Sequence, residues 1–213
     1  MNRSPSTRHL GALLVLLTLG CAPRAAPLVG APAPARLPTA QLTGAQRIQF
    51  RWSYDDGSLI GRGEGLARVA APDSARLDFF MDGGLGGGGT AFLLGDSVDA
   101  PGGDFVRRLL PPPALLWASL GRLAVPAAAD TTARTDGALL RADIGRDPVY
   151  RVTFDGAALR RLERIAGGRL QEWVTRTSNA VVEYRHETSG RRLVLEITRQ
   201  ERVEGFDASI WSR

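Results

Sequence analysis

Apolar and polar residues alternate along two early stretches of the chain, residues 48–54 and residues 75–81. Successive side chains of a β-strand point to opposite faces of a sheet, so this alternation predicts strands with one face against a core. The apolar positions are Ile48, Phe50, Trp52 and Tyr54 in the first stretch and Leu77, Phe79 and Met81 in the second. We therefore expect both stretches to line one apolar interior.

Most of the remaining chain predicts further short strands separated by turns. The expected strands are residues 61–70, 88–94, 137–144, 149–154, 170–176, 181–186 and 193–198. Pairs such as Asp155-Gly156 and Ser189-Gly190 mark the turns between them. Residues 157–165 fit both a helix and a strand, because their apolar spacing is helical whereas their length and flanking turns suit a strand. No strand–helix–strand alternation is found, which argues against a parallel sheet.

One segment in the middle of the chain has helical spacing. Residues 104–110 lead through three prolines into residues 114–123. Proline is tolerated in the first turn of a helix, because its missing N–H donor is not needed there. A helix that is apolar on nearly all sides is normally buried. The apolar residues of the second part are Leu115, Leu116, Trp117, Leu120 and Leu123. The sequence thus predicts a mainly β domain (α+β) whose antiparallel sheet is interrupted once by a buried helical insertion.

The start of the chain has the composition of an export signal. Basic residues precede an apolar run over residues 10–20, which is shorter than the roughly twenty residues that a membrane-spanning helix needs. Cys21 follows directly, and no second cysteine exists with which it could form a disulfide in this chain. Residues 17–21 (LTLGC) resemble the lipobox of bacterial lipoproteins, with Thr18 where leucine is usual. The resemblance implies cleavage before Cys21 and acylation of this cysteine. The alternative is an ordinary secretory signal with an incidental cysteine.

The next segment, residues 21–40, is rich in alanine and proline. Such a segment buries too little apolar area to fold alone, and its prolines keep it extended. We expect it to tether a lipid anchor to the folded domain; packing on that domain as an ordered arm is the alternative. The predicted organisation is a signal peptide at residues 1–20, an anchor and tether at residues 21–40, and one domain at residues 41–213.

The formal net charge of the chain is +5, and all 27 of its lysine-plus-arginine positions are arginine. A basic surface favours anionic lipid headgroups or nucleic acid. An exported, membrane-tethered chain rarely meets nucleic acid, and the arginines are scattered among acidic residues. They therefore predict a solvated surface, and no nucleic-acid partner is expected.

Candidate catalytic and metal-binding residues are few. Gly95-Asp96-Ser97 resembles the first block of a family of lipid-cleaving serine hydrolases, in which a histidine acts as the base. His186 is the histidine beyond the signal segment, and Glu183 stands three residues before it on a predicted strand. Residues three apart on a strand point to opposite faces, so no catalytic arrangement is expected. A lone histidine and scattered aspartates predict no metal site, and no cofactor is expected.

An apolar wall is the remaining candidate site. A strongly curved sheet would turn its apolar face into a concave surface, and the helical insertion would close it as a lid. Concave apolar pockets suit small hydrophobic ligands, and each buried methylene of an acyl chain contributes about 0.8 kcal/mol. The alternative is that the same residues pack on each other as an ordinary core.

The order of these parts resembles the LolA/LolB superfamily, the carriers and acceptors of bacterial lipoproteins. The resemblance covers residues 46–211. Its four features are the glycine-bearing strand GRGEGLA (61–67), the pair RLDFFM (76–81) and GGTAFLL (88–94), the insert LLPPPALLWASLG (109–121), and the meander through 181–184 and 192–197. It implies an incomplete antiparallel β-barrel wrapped around a short helical insertion, with an apolar cavity for acyl chains. The residues expected to bind lipid are Phe50, Trp52, Tyr54, Leu66, Leu77, Phe79, Met81, Leu93, Leu116, Trp117, Leu120 and Leu123.

Because the chain carries a lipobox, the resemblance points to the acceptor LolB rather than to the soluble carrier LolA. In LolB an apolar residue on a protruding loop helps deliver cargo to the membrane, and the matching position is Leu85 in a glycine-rich loop. Ala22 after the acylated cysteine implies the periplasmic face of the outer membrane, by resemblance to the enterobacterial sorting rule. We expect a lipid-anchored monomer that is not an enzyme, binds acyl chains and receives lipoproteins from a LolA-like carrier. The alternatives are a scaffold subunit of an envelope complex without a cavity, and a serine lipid esterase.

Overall fold

The computed structural model describes residues 22–38, 43–70, 72–83, 87–101, 103–125, 130–177 and 180–211. Its strands are β1 (Ala31–Ala33), β2 (Ala45–Asp55), β3 (Ile60–Ala70), β4 (Ser74–Met81), β5 (Gly88–Leu94), β6 (Ser97–Asp99), β7 (Thr131–Asp136), β8 (Leu139–Ile144), β9 (Val149–Asp155), β10 (Ala158–Ala166), β11 (Arg169–Arg176), β12 (Val181–His186) and β13 (Arg192–Val203). Its helices are α1 (Asp104–Leu109) and α2 (Pro113–Ser119), with a short 3-10 helix at Ala208–Trp211. Within these residues, no helix has both the length and the apolar character that crossing a bilayer requires.

The thirteen strands form one antiparallel sheet in the order β1-β7-β8-β9-β10-β11-β12-β13-β2-β3-β4-β5-β6. Its apolar inner face and both α-helices belong to a single buried cluster. The edge strands β1 and β6 are not paired with each other. The architecture is therefore an incomplete antiparallel barrel around a short helical insertion, as the sequence predicts.

The strands run between two ends of the barrel. The upper end carries the connections β2–β3, β4–β5, β8–β9, β10–β11 and β12–β13. The lower end carries the connections β3–β4, β5–β6, β7–β8 and β9–β10. The registers of neighbouring strands establish this assignment, because Arg192 pairs with Asp55 and Asp55 pairs with Ile60.

Glycines of β3 make room for aromatic rings on the inner face. A Cβ atom at Gly65 would lie 2.3 Å from the ring of Phe50, and one at Gly63 would lie 1.8 Å from the carbonyl oxygen of Phe80. Both distances are far below a van der Waals contact. With no side chain in the way, Phe50 packs edge-on against Phe79 of β4, with ring centroids 5.7 Å apart. The glycines of β3 therefore let aromatic rings of β2 and β4 meet across it.

The helical insertion fills the inside of the barrel. Phe105 of α1 lies against Trp52 of β2, with ring centroids 5.9 Å apart. On α2 the Trp117 indole N–H donates to the carbonyl oxygen of Gly95 at 2.7 Å, which ties the helix to the β5–β6 turn. Pro113 begins α2, where a missing donor costs nothing. Within the insertion, α2 is buried almost throughout, whereas α1 buries Val106 and Leu109 and leaves Arg107 and Arg108 exposed.

Most predicted strands agree with the structure, and the differences are local. Residues 158–166, which fit both patterns, form β10. The predicted strand 137–144 is the second half of a hairpin, because Gly137, at a φ of +60°, makes a turn after the separate strand β7. A positive φ is easily adopted by glycine and ends the strand there. The short strands β1 and β6 have no alternating pattern that would predict them.

The alanine- and proline-rich segment packs on the sheet over residues 22–38. Residues 31–33 pair antiparallel with β7, and Arg24 forms an isolated bridge with Arg169 of β11. Arginines of the sheet donate to the segment's carbonyl oxygens, as from Arg151 to Ala26 at 2.5 Å. These residues form the ordered arm that we considered as the alternative to a free tether. The reason is that proline removes donors but leaves every carbonyl free to accept.

We expect Gly63→Ala to lower the free energy of unfolding by about 1–3 kcal/mol, because the added methyl group would collide with the Phe80 carbonyl. Gly205→Ala is the matched control, since nothing lies within 4 Å of a Cβ placed there. Urea unfolding of both variants measures the effect. Equal midpoints for Gly63→Ala and wild type would show that the close approach is not a constraint.

Candidate functional site

An open groove lies at the upper end, on the outer face of β13, β2 and β3. Its volume is about 540 Å³, which is in the range of roughly 300–1,000 Å³ typical of small-molecule sites. Its lining residues are Ser53, Tyr54, Asp55, Ile60, Gly61, Arg62, Met81, Asp82, Gly83, Arg192 and Val194. Ile60 is 79% exposed and Met81 is 37% exposed, both unusually high for large apolar side chains.

The unequal lengths of neighbouring strands produce this groove. Met81, the last residue of β4, pairs with Gly63, so the first three residues of β3 extend beyond β4. The chain after Met81 continues along that projection, where the Asp82 N–H donates to the Arg62 carbonyl at 3.0 Å. The turn after β4 thus forms one wall of the groove, and the projecting β2–β3 hairpin forms its floor.

A cluster of polar groups ties the hairpin to α1 directly beside the groove. The Tyr54 hydroxyl lies 2.9 Å from an Asp56 carboxylate oxygen and 3.1 Å from the Arg108 carbonyl oxygen. The Arg108 guanidinium is 2.7 Å from the same carboxylate. Burial, followed by the hydrogen bond to Asp56, raises the pKa of Tyr54 to about 12. Burial opposes the ionisation of Asp56, but hydrogen bonds from Tyr54 and from the Leu59 and Ser58 amides outweigh it and hold its pKa well below the usual range.

A second polar cluster surrounds the buried carboxylate of Glu172. The Tyr184 hydroxyl donates to Glu172 at 2.9 Å, and Arg164 donates to it at 3.2 Å. The Arg191 guanidinium bonds the Tyr184 hydroxyl and also reaches the Arg108 carbonyl at 3.4 Å, which joins the two clusters. Burial, followed by the charge of Glu172, raises the pKa of Tyr184. These bonds tie α1 to the β12–β13 turn at the upper end of the barrel.

Most residues expected to bind lipid meet in the interior, where they pack on one another. Those with buried side chains are Phe50, Trp52, Tyr54, Leu77, Phe79, Leu93, Leu116, Trp117 and Leu120, and Leu123 packs partly buried against them. Within the described residues they share one core with both helices. Contact with a lipid stays a prediction for all of them.

Two of the expected lipid-binding residues lie outside this core. Leu66 points to the outer face, because its neighbours Gly65 and Ala67 point inward and the pleat alternates. Met81 lies at the rim of the groove. Cys21 and Leu85, the predicted anchor and membrane-insertion residues, are outside the described residues.

The candidate serine hydrolase residues are far apart. Ser97 begins β6 at the lower end, whereas His186 ends β12 at the upper end, and five strands separate them in the sheet. The His186 ring lies 3.2 Å from the hydroxyl of Thr188, within its own turn. In the described part of the chain, no three histidine, cysteine or acidic residues are grouped so that they could hold a metal ion.

The groove residues Ile60, Arg62 and Val194 are absent from the sequence-based site. Ile60 directly follows Leu59 after the turn at the end of β2, and two consecutive apolar residues show no strand alternation. Val194 comes from a strand more than 130 positions after Ile60 and reaches the groove through its pairing with Ser53. Strand register at this distance along the chain could not be obtained from local periodicity.

We expect the stability of the protein to fall as the pH rises from 10 towards 12, because the unfolded chain then loses phenolic protons that folded Tyr54 and Tyr184 retain. Below pH 10 both states keep these protons, and the contribution is fully present. Tyr54→Phe removes one such proton, so its melting temperature should fall less steeply over this interval. Parallel curves of melting temperature against pH for the variant and wild type would contradict a raised pKa of Tyr54 in the folded protein.

The sequence and structure were compared with known proteins. No protein-family model matches the chain. No curated protein matches it either. Among solved structures, the chain is similar to a LolA superfamily protein from Nitrosomonas europaea, with a TM-score of 0.52 and 10% identity, over 82% of this chain and 93% of that one.

Two further solved structures are more distant. One is a DUF1329 family protein from Desulfovibrio piger, with a TM-score of 0.45 and 11% identity over 79% of this chain and 89% of that one. The other is described as an outer membrane lipoprotein-sorting protein domain from Vibrio parahaemolyticus, with a TM-score of 0.46 and 9% identity over the same shares. Their similarity is too low to carry an argument. The similarity to the Nitrosomonas europaea structure, together with the barrel geometry, shows that the chain has the fold of the LolA superfamily.

Proposed function

We propose that the protein is a lipid-anchored envelope protein that binds acyl chains and helps insert lipoproteins into the outer membrane. The observation that carries the proposal is the open groove at the upper end, which presents Ile60, Met81 and Val194 to a ligand. The fold supports it, as does the lipobox-like sequence before Ala22.

The groove suits one end of an acylated molecule. Each methylene that leaves water for the apolar lining contributes about 0.8 kcal/mol, so a short stretch of acyl chain is enough for measurable binding. Arg62 and Arg192 lie on the lining as well. The Arg62 side chain is highly exposed and lies 3.6 Å from Asp82 in a loose ion pair, so it can reorient towards an anionic headgroup.

The proposed transfer requires no covalent chemistry. A lipoprotein passes from a soluble LolA-like carrier to this protein when its acyl chains bind more tightly here, and then to the membrane, which binds them more tightly still. The anchor at Cys21 keeps the acceptor at the membrane that receives the cargo. The outer membrane and the carrier both follow from the sequence resemblance and belong to this proposal.

A second candidate function follows from the filled interior. The large inner-face side chains and α2 are almost completely buried against each other. A barrel occupied by its own core needs no ligand and could act as a scaffold subunit of an envelope complex. Absence of saturable acyl binding would favour this function.

We expect Ile60→Glu to weaken the binding of a fluorescent fatty acid by about tenfold, since a carboxylate in the groove opposes both the acyl chain and an anionic headgroup. Leu94→Glu is the matched control, because Leu94 is also an exposed apolar residue but lies at the lower end. Displacement titrations on both variants give the affinities. Unchanged binding in Ile60→Glu would exclude the groove as the acyl site.

We expect Leu85→Glu to leave fatty-acid binding intact and to reduce transfer of a lipoprotein into vesicles, because a charged side chain enters the bilayer poorly. Leu85→Met, which keeps an apolar side chain, should transfer normally. Transfer is measured as cargo recovered with floated vesicles. Equal transfer by the two variants would remove Leu85 from the delivery step.

A further inference from the structure

We infer that the barrel docks on the bilayer by its upper end, held there by the amino-terminal arm, which we define as residues 22–38. This inference rests on the acylation of Cys21 in the proposed function. It adds an interaction surface and a partner, the lipid surface in which the anchor itself is inserted.

The arm begins at the upper end. The Ala22 carbonyl accepts a hydrogen bond from Arg169 at 2.6 Å, and Ala22 is only 4% exposed. The Pro23 carbonyl accepts from the Leu170 N–H at 2.9 Å. Arg169 and Leu170 open β11 directly after the turn at the upper end. Ala22, the residue that follows Cys21 in the sequence, therefore lies at the turn of the upper end.

The arm is attached along its length and not only at its start. The Ala25 N–H donates to the Gly168 carbonyl at 3.0 Å, and Arg151 donates to Ala26. Further on, Arg134 donates to the Gly30 carbonyl at 3.0 Å, and residues 31–33 pair with β7 at the edge of the sheet. Bonds along this path leave no free linker after Ala22, and they fix the start of the arm relative to the barrel.

The end of the barrel at which the arm begins also carries groups that suit a bilayer. Ile60, Phe80 and Met81 are 79%, 57% and 37% exposed, and all three lie towards the upper end on β3 and β4. Exposed Arg24 and Arg146 lie at the same end. Apolar side chains with arginines beside them fit the interface between acyl chains and phosphate groups. Because the arm begins at the same end of the barrel, an anchor that enters the membrane brings these groups towards it.

The opposite end is out of reach of the headgroups in this orientation. β3 runs from the upper to the lower end over eleven residues, Ile60–Ala70, which span roughly 35 Å at the usual rise of a strand. The turn that carries Asp96 lies at that lower end, between β5 and β6. Residues at the two ends should therefore differ clearly in their contact with lipid.

A fluorescence experiment on the full-length protein tests the orientation. Acylation consumes the Cys21 thiol, so a cysteine introduced by Ile60→Cys or by Asp96→Cys is the reactive thiol for an environment-sensitive dye. Each labelled protein is reconstituted into phosphatidylethanolamine–phosphatidylglycerol vesicles that contain doxyl-labelled lipid. We expect quenching of the dye at position 60 and none at position 96. Equal quenching at both positions, or stronger quenching at position 96, would overturn the inference.

A flexible linker tests the part assigned to the arm. About twenty Gly/Ser residues inserted between Cys21 and Ala22 span roughly 25 Å and free the anchor from the turn. Quenching at position 60 should then fall, whereas quenching equal to that of the unmodified protein would show that the arm does not orient the barrel.

Two measurements on the unlabelled wild-type protein separate this inference from the proposed function. Mass spectrometry of its amino-terminal peptide reports whether Cys21 is acylated, and fatty-acid displacement reports whether the groove binds acyl chains. An acylated protein with normal displacement but no difference between the two dye positions contradicts the orientation alone. Missing acylation or missing displacement contradicts the proposed function.

Discussion

The barrel depends on aromatic rings of one strand occupying the space that glycines leave free on the next strand. β2 places large aromatic rings on the inner face, and β3 places glycines there, so that the rings occupy space that β3 side chains would need. The Phe80 carbonyl also approaches Gly63 more closely than any side chain would allow. This close approach lets β4 pack tightly beside β3, and the Phe79 ring contacts the Phe50 ring. These contacts bring the inner faces of β2 and β4 together across β3.

Side chains of the described residues fill the interior, and the groove lies on the outside. The aromatic wall closes on itself and on the helical insertion, while the polar clusters around Asp56 and Glu172 bind the hairpin, α1 and the β12–β13 turn together. The groove forms where the β2–β3 hairpin extends past the end of β4. A ligand can therefore reach apolar side chains at the end of the barrel without displacing the core.

The arm shows how a sequence of low folding tendency becomes ordered. Alanine and proline bury little area and form few bonds among themselves, which is why the composition predicts a tether. The outer face of the sheet supplies what is missing, because its arginines donate to carbonyls of the arm at Ala22, Ala26 and Gly30. One of these arginines, Arg151, is also paired with Asp143 of β8, which holds it in position to donate.

The sequence by itself determined the strands with alternating residues, the buried insertion around Trp117 and the fold class, because periodicity is a local property of the chain. It also identified the aromatic inner face, but not that this face would be filled. Only the tertiary structure decided that Leu66 points outward, that Val194 meets Ile60 in a groove, and that residues 22–38 lie on the sheet. Each of these depends on the register and reach of segments far apart in the chain, and no local pattern encodes such a distance.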